Sequence, residues 1–246
     1  MNVKADYMLI EQRVYTLKAG CMESFWQAQH ARGYELIKPI LDRLIGYFST
    51  VTGPDCQIMH LYRYDSYDDW LNRLQGLYRI TALESYFKTA RPLLLAQENR
   101  FLVPAPIVEL TPFWGNGNDW LPGGRQYANL ATEPALLVEE TVTTLLPGTL
   151  PAYWQSYKNY GLPAGGAATD YLLGSFVSLV GKQHQVFDYR CYPDFPARRN
   201  YLETRVEDSN WRAFSAAVAP LIVSCENKLL QPAQIEQLSP LFFRSN

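Results

Sequence analysis

The sequence predicts an α+β fold made of two tandem ferredoxin-like βαββαβ repeats that pair with each other as an internal pseudo-dimer. The first observation behind this prediction is a repeat at a constant offset, in which Gly20 returns as Gly148 and Gly46 returns as Gly174. The second is that, within each repeat, runs with strand alternation flank stretches whose apolar residues recur at helical spacing. The third is length, because 246 residues accommodate two domains of about 100 residues each.

A segment between the repeats follows neither pattern and is rich in glycine. We therefore expect a first domain at residues 1–112, a linker at 113–134 and a second domain at 135–246. The linker also contains three large aromatic residues, Trp114, Trp120 and Tyr127. A freely solvated linker rarely carries so much aromatic surface, so we expect these residues to pack against another part of the protein.

The first repeat is predicted to begin with a strand whose side chains alternate between two faces and which Gly20 ends. The predicted elements are a strand at 8–17, a helix at 22–44 broken near Gly33 or Pro39, strands at 45–51 and 57–64, a helix starting after Ser66, a helix at 83–95 and a strand at 99–108. The turn at 52–55 separates two β-rich runs and predicts a hairpin.

Two different capping patterns mark equivalent helix starts in the two repeats. Ser66 precedes Asp68 and Asp69, so its hydroxyl can accept from the first-turn amides while the carboxylates suit the positive helix end. In the second repeat Asp194 takes the cap position, with Pro196 just inside the helix. Both repeats also contain a Glu-Asn pair, at 98–99 and 226–227, which we interpret as caps where helix gives way to strand.

This element order predicts how the repeats assemble. In a split βαβ unit the first and third strands lie side by side, two helices cover one sheet face, and the other face is bare. Two repeats in one chain can close their bare faces against each other into a barrel.

Composition and charge exclude several functional classes. A net charge of −2 and a pI near 6.0, without a basic run interleaved with aromatics, argue against nucleic acid as a partner. No stretch of about 18 apolar residues predicts a membrane span, and no apolar leader is visible, so we expect a cytoplasmic protein. The four cysteines form no CxxC pair, which favours free thiols.

Four short blocks of the first repeat resemble the NIPSNAP family of the dimeric α/β barrel superfamily. They lie at 14–20, 45–48, 60–66 and 98–104. The resemblance covers about 8–112 and, more weakly, about 136–240. It implies the fold and the paired assembly. The wider superfamily includes cofactor-free monooxygenases, isomerases and heme enzymes, so the resemblance implies no single reaction.

Residues that differ between the repeats point to a candidate site in the first half only. Arg13 and His60 fall on the two predicted central strands, whereas the second repeat has Thr141 and Asp188 there. If this face points toward the helices, His60 could act as acid or base near its ordinary pKa of about 6.5, with Arg13 as an anion clamp. The candidate catalytic residues are His60 and Tyr62, and the candidate substrate-binding residues are Arg13, Tyr15, Tyr47, Tyr64, Trp26 and Arg73.

A purely structural interpretation stays open: His60 donates to a core carbonyl, the tyrosine hydroxyls lie at the rim, and Arg13 pairs with Glu11 or another carboxylate. Two functions therefore remain. One is a small-molecule-binding or assembly protein without catalysis, with the second half as structural complement and a further homo-oligomer left open. The other is a cofactor-independent monooxygenase or isomerase acting on a small aromatic or carbonyl substrate, with His60 as acid or base.

No cofactor or metal is expected from the sequence. The histidines, His30, His60 and His184, show no metal-binding spacing. Heme is disfavoured because His184, the second-half histidine, is predicted at a hairpin turn rather than on a helix. Nucleotide, serine-hydrolase and zincin motifs are absent from the sequence.

Overall fold

The computed structural model describes residues 8–111, 130 and 134–242. The strands of this part of the chain are β1 (Leu9–Leu17), β2 (Leu44–Thr52), β3 (Gln57–Tyr64), β4 (Leu94–Pro104), β5 (Leu137–Leu145), β6 (Leu172–Val180), β7 (Gln185–Tyr192) and β8 (Ile222–Pro232). Its α-helices are α1 (Met22–Arg32), α2 (Lys38–Leu41), α3 (Tyr67–Tyr78), α4 (Glu84–Ala90), α5 (Leu150–Ser156), α6 (Gly166–Thr169), α7 (Phe195–Glu207) and α8 (Ser209–Val218).

The strands form one closed antiparallel barrel in the order β1-β3-β2-β8-β5-β7-β6-β4. In each half the first strand lies between the third and fourth, as the βαββαβ order requires. The halves are joined by pairing of β2 with β8 and of β4 with β6. The predicted fold of two ferredoxin-like repeats closed into an internal pseudo-dimer is confirmed. The domain limits at 112 and 135 stay a prediction, and Trp114, Trp120 and Tyr127 lie outside the described residues.

Several element boundaries differ from the sequence prediction. The long first helix breaks at Gly33, where φ is +73°, a conformation that suits glycine, and helical structure resumes in short segments up to Leu41. The helix predicted to reach residue 95 ends at Ala90, and β4 already begins at Leu94. The Glu-Asn pairs therefore lie inside strands, at 98–99 in β4 and at 226–227 in β8, rather than at helix boundaries, so the capping interpretation is wrong in both halves.

Both predicted caps are confirmed. Ser66 Oγ accepts from the Asp69 amide at 3.1 Å, and Asp194 Oδ1 accepts from the Ala197 amide at 2.7 Å. Each bond satisfies an amide that the first helical turn otherwise leaves without a partner. The two halves start equivalent helices, α3 and α7, with different side chains.

Apolar side chains from both halves fill the interior of the barrel. The largest include Ile10, Phe48, Met59, Phe176, Phe187 and Phe242. A polar group crosses this core: Gln12 Nε2 donates to the carboxylate of Glu140, which occupies the equivalent position in the second half. Tyr189 also donates to Glu140 Oε2, at 2.8 Å, and Lys228 Nζ lies 3.7 Å from Glu140 Oε1. The buried carboxylate is thus held by groups from both halves.

Candidate functional site

The first half carries a row of polar and aromatic residues across the helix-covered face of its sheet. In register, Asn99 of β4 lies opposite Arg13 of β1, Arg13 lies opposite His60 of β3, and His60 lies opposite Tyr47 of β2. Directly opposed residues of an antiparallel pair point to the same face. Period-two alternation along these strands therefore places Arg13, His60 and Tyr47 under the helices, while Asn99 on the same face is exposed.

A cavity of about 110 Å³ lies between this face and the helices of the first half. Its floor is formed by strand residues, which include Arg13, Tyr15, Tyr47, His60, Tyr62 and Gln97. Its walls and roof come from the helices and the turns between them, with Phe25, Arg32, Ile37, Ile40, Leu77, Tyr78, Leu83, Tyr86, Phe87 and Arg91 among them. Tyr78 is 62% exposed, so the cavity reaches the protein surface near that residue.

His60 lies at the centre of the floor and is 2% exposed. Its ring packs against Tyr47 with centroids 3.8 Å apart and meets Tyr15 edge-on at 4.5 Å. Within the described residues neither ring nitrogen has a hydrogen-bond partner. Burial, followed by the charges of Arg13 and Arg32, lowers the pKa of His60 well below its ordinary value. The expectation of a titration near 6.5 is therefore wrong, and the imidazole is neutral at neutral pH.

Two tyrosines of the floor form a buried hydroxyl pair. The hydroxyl oxygens of Tyr47 and Tyr62 lie 3.0 Å apart, and burial raises the pKa of both residues. The guanidinium of Arg13 sits over the Tyr62 ring, 4.7 Å from its centroid. These hydroxyls are buried rather than placed at the rim, so this part of the purely structural interpretation is wrong.

Arg13 pairs with Glu11, as that interpretation proposed, with Nη2 and Oε2 2.8 Å apart. Glu11 is fully buried and also accepts from Asn99 Nδ2 at 2.8 Å. The second half retains the same buried carboxylate as Glu139, but there the cation is Arg198 of α7, at 2.6 Å. A buried carboxylate needs a cationic partner. The first half takes its partner from the strand and so brings a guanidinium to the cavity.

The structure brings five of the eight predicted site residues together at this cavity, namely Arg13, Tyr15, Tyr47, His60 and Tyr62. The other three do not line it. Tyr64 is buried further along β3, and Trp26 packs between apolar clusters on the outer side of the sheet. Arg73 donates to Asp69 Oδ1 at 2.6 Å and to the carbonyl of Pro39. The cavity gives no support to a ligand-binding role for these three residues.

Sequence reasoning missed Arg32 and Tyr86, which close the cavity from the helical side. Arg32 lies in the last turn of α1, seven residues after the buried Phe25 and three after the buried Gln29. Side chains at this spacing share one helix face. The sequence held two signs of this role: Arg32 falls on the apolar face of the predicted helix, and the second repeat has Tyr160 at the equivalent position.

In the second half, aromatic rings pack closely in the corresponding region. Phe214 of α8 lies 4.6 Å from Tyr157 and 5.7 Å from Tyr153, measured between ring centroids. Trp211, the counterpart of Leu83, lies 4.9 Å from Phe214. A π-helical turn at Tyr157–Gly161 carries one of these rings. The two halves share a backbone plan and differ in what lies between sheet and helices.

The family model for NIPSNAP matches the chain twice, over residues 10–109 and 138–237. The chain belongs to the NIPSNAP family. The two matched regions correspond to the two halves of the barrel, so this NIPSNAP protein holds two family domains in one chain. None of the curated proteins compared with it matches.

Solved structures similar to this NIPSNAP protein are of two kinds. A NIPSNAP family protein of unknown function from Agrobacterium tumefaciens is 31% identical, with 41% of this chain and 91% of that chain covered, at a TM-score of 0.39. Proteins named "putative monooxygenase" from Lactobacillus acidophilus and Fusobacterium nucleatum are 8% and 11% identical, each at a TM-score of 0.59. Coverage is 92% of this chain and 94% of the former, and 94% of both chains for the latter. At this identity the likeness shows the shared barrel fold alone.

Two structural features bear on cofactors and membranes. Among the described residues, no three His, Cys, Asp or Glu side chains come together in a way that could hold a metal ion. In the same part of the chain, none of the helices has the length and apolar character needed to cross a bilayer.

Proposed function

We propose that this NIPSNAP protein binds a small organic molecule in the cavity of its first half. The observation that carries the proposal is that His60 lies in an aromatic-lined cavity with neither ring nitrogen hydrogen-bonded within the described residues. A buried polar group without a partner costs about 1–3 kcal/mol. A bound ligand with one polar group and an apolar body would recover this free energy, because it would satisfy the imidazole and fill the remaining space.

The sequence also allows a role in assembly without catalysis, and that role would involve different residues. It would depend on the aromatic residues of the linker, Trp114, Trp120 and Tyr127, which lie outside the described part of the chain. The cavity therefore favours ligand binding over a role in assembly alone. A further homo-oligomer stays a prediction.

The test is a nuclear magnetic resonance titration of protein carrying ¹⁵N-labelled histidine with a set of single-ring compounds, neutral and anionic. We expect at least one compound to shift the ring resonances of His60 in a saturable manner. Leu83→Trp places the second half's Trp211 at the equivalent position of the first half, where Leu83 is 1% exposed against the cavity. This variant should fill the space and abolish the shift.

Leu95→Trp is the matched control for the cavity-filling variant. Leu95 is 67% exposed, so the same ring is added outside the cavity, and binding should persist. The absence of any saturable shift would contradict the proposal, as would binding that survives in folded Leu83→Trp protein.

The second candidate function is a cofactor-independent isomerase or monooxygenase, and a specific observation favours it. Neither ring nitrogen of His60 has a hydrogen-bond partner within the described residues, so a nitrogen is available to accept a proton, and Arg13 and Arg32 line the same cavity. In the common first step, a C–H proton of the ligand passes to a ring nitrogen of His60. The electron pair stays on the ligand as an enolate, which the guanidinium groups stabilise. An oxygenase without a cofactor would need the same step, because its substrate must supply electrons to dioxygen.

This candidate predicts catalysed deuterium exchange at an acidic C–H group. Acetophenone in D2O would serve as the probe, with loss of the methyl signal measured over time. His60→Gln should abolish the catalysed exchange, whereas Asp188→Asn, at the equivalent position of the second half, should leave it intact. Exchange at the same rate in His60→Gln protein would eliminate His60 as the acid or base.

A further inference from the structure

The charged side chains that line the cavity are positive. Among its described residues are three arginines, Arg13, Arg32 and Arg91, and none is acidic. A cation in a partly desolvated site acts through a lower effective dielectric than in water, so its preference for an anion is strengthened. Whether the lining attracts an anion depends on which of these charges is already balanced.

Two of the three arginines have other partners or lie in solvent. The Arg13 guanidinium is balanced by Glu11, which lies 2.8 Å away and is fully buried. Arg91 is an exposed residue whose guanidinium lies over the Phe87 ring, 4.7 Å from the centroid. Solvent screens a charge at such a position. The remaining candidate for an anion partner is Arg32.

Arg32 is held in place by neutral groups. Its Nε donates to the carbonyl of Gly33 at 3.0 Å, and its guanidinium sits over the Tyr86 ring at 4.7 Å. Its Nη2 is buried and has no hydrogen-bond partner within the described residues. No carboxylate of that part of the chain forms an ion pair with it. The guanidinium is therefore positioned, charged and short of one acceptor.

His60 supplies a second group for the same ligand. It lines the cavity with Arg32, and its neutral ring carries one N–H that has no acceptor within the described residues. A carboxylate has two oxygens with about four acceptor positions, so it can accept from a guanidinium and from an imidazole N–H together. A neutral amide or alcohol in the same place would offer no charge to Arg32.

The apolar part of the lining and the cavity volume determine the size and polarity of the rest of the ligand. Its walls are apolar or aromatic, with Phe25, Ile40 and Leu83 among them. The volume of about 110 Å³ is somewhat below the roughly 150 Å³ of a cavity that admits benzene. The enclosed space alone is therefore too small for a ring with a carboxylate, but the cavity also reaches the surface near Tyr78, so a single ring is the upper limit for the ligand's body and a short branched chain fits within it.

We infer that the first-half cavity is a site for a small monocarboxylate with a compact apolar body, whose carboxylate is held by Arg32 and by the N–H of His60. This inference rests on the proposed ligand-binding function and names the class of ligand. The second half lacks this combination, since it has Tyr160 in place of Arg32 and Asp188 in place of His60. The site therefore occurs once per chain.

The test compares benzoate with benzamide, which has the same ring and nearly the same shape but no charge. Binding is measured by calorimetry and by the His60 ring resonances. We expect wild-type protein to bind benzoate at least 10-fold more tightly than benzamide, because a hydrogen bond to a charged group contributes about 1.5–3 kcal/mol. Arg32→Gln should weaken benzoate binding at least 10-fold and change benzamide binding less than 3-fold. Arg79→Gln, the matched control, removes an exposed guanidinium that does not line the cavity and should change benzoate binding less than 3-fold.

The outcomes separate this inference from the proposed function. If wild-type protein binds both compounds in the cavity with equal affinity, the inference is overturned and the proposed function stands. Equal weakening of both compounds by Arg32→Gln would assign Arg32 a packing role and would also overturn it. If neither compound nor any other single-ring compound shifts His60, both fail together. The benzoate preference is measured on wild-type protein, so it decides the question even if Arg32→Gln does not fold.

Discussion

The contact between Gln12 and Glu140 at the barrel centre allows a quantitative test of how the two halves stabilise each other. Replacing Gln12 by Met keeps a similar volume and removes the amide that donates to the buried carboxylate and to the hydroxyl of Tyr189 at 2.7 Å. Glu140 then retains Tyr189 at 2.8 Å and the more distant Lys228 at 3.7 Å. A hydrogen bond to a charged group contributes about 1.5–3 kcal/mol, so we expect a loss of that size in the free energy of unfolding.

The measurement is urea unfolding followed by circular dichroism and tryptophan fluorescence, with a thermal scan beside it. For a chain of this size the expected loss corresponds to a fall in Tm of about 3–12 °C. Gln185→Met is the matched control, because Gln185 is also buried but donates to a neutral acceptor, Thr144 Oγ1, at 3.0 Å. Its expected loss is about 0.5–1.5 kcal/mol.

If Gln12→Met loses no more stability than Gln185→Met, the hydrogen bond to the charged Glu140 does not contribute more than a neutral one, and the prediction is refuted. A stronger perturbation is Gln12→Glu, which sets two carboxylates against each other at equivalent positions of the two halves. An uncompensated buried charge costs about 3–5 kcal/mol, so this variant should be the least stable of the three at neutral pH.

Two further predictions concern His60 and the helix caps. The lowered pKa of His60 means that the unfolded chain binds a proton below about pH 6.5 that the folded chain does not. The free energy of unfolding should therefore fall as pH drops below 6.5, by up to about 1.4 kcal/mol per pH unit. His60→Phe should remove this contribution when unfolding is measured from pH 7.5 to 5.5. If the variant keeps the same dependence of unfolding free energy on pH, the prediction is contradicted. Ser66→Ala and Asp194→Ala should each lose about 1 kcal/mol in urea unfolding, and no loss would show that the caps are dispensable.

Most of the fold could be predicted because its signals are local or repeated. The constant offset between the repeats identified two domains, and period-two alternation placed Arg13 and His60 on one face of neighbouring strands. The register across β1 and β3 then follows from pairing in the βαββαβ order, and the structure has these two residues directly opposed. The end of the helix predicted at 83–95 was wrong. Pro92 lies within a single 3₁₀ turn, after which β4 begins at Leu94.

The candidate site could be predicted only in part, because its other wall depends on how helices lie on the sheet. Strand periodicity shows which residues share a face, and it found His60 and Tyr47. It cannot show that Arg32 turns inward at the end of α1 while Arg73 of α3 pairs with Asp69 away from the cavity. The pKa of His60 was equally out of reach, since burial is its largest cause and depends on that packing.

The two halves differ in how completely side chains fill the space between sheet and helices, and this difference bears on function. In the second half, rings such as Tyr157 and Phe214 pack at ordinary aromatic distances, which stabilises the fold. In the first half the equivalent space keeps a cavity and leaves His60 without a hydrogen-bond partner among the described residues, at a cost of about 1–3 kcal/mol. Marginal stability makes that a substantial fraction of the total for a folded chain. Because the second half closes the same βαββαβ plan with packed rings, the fold itself does not require the first-half cavity, and this supports the proposed ligand-binding function.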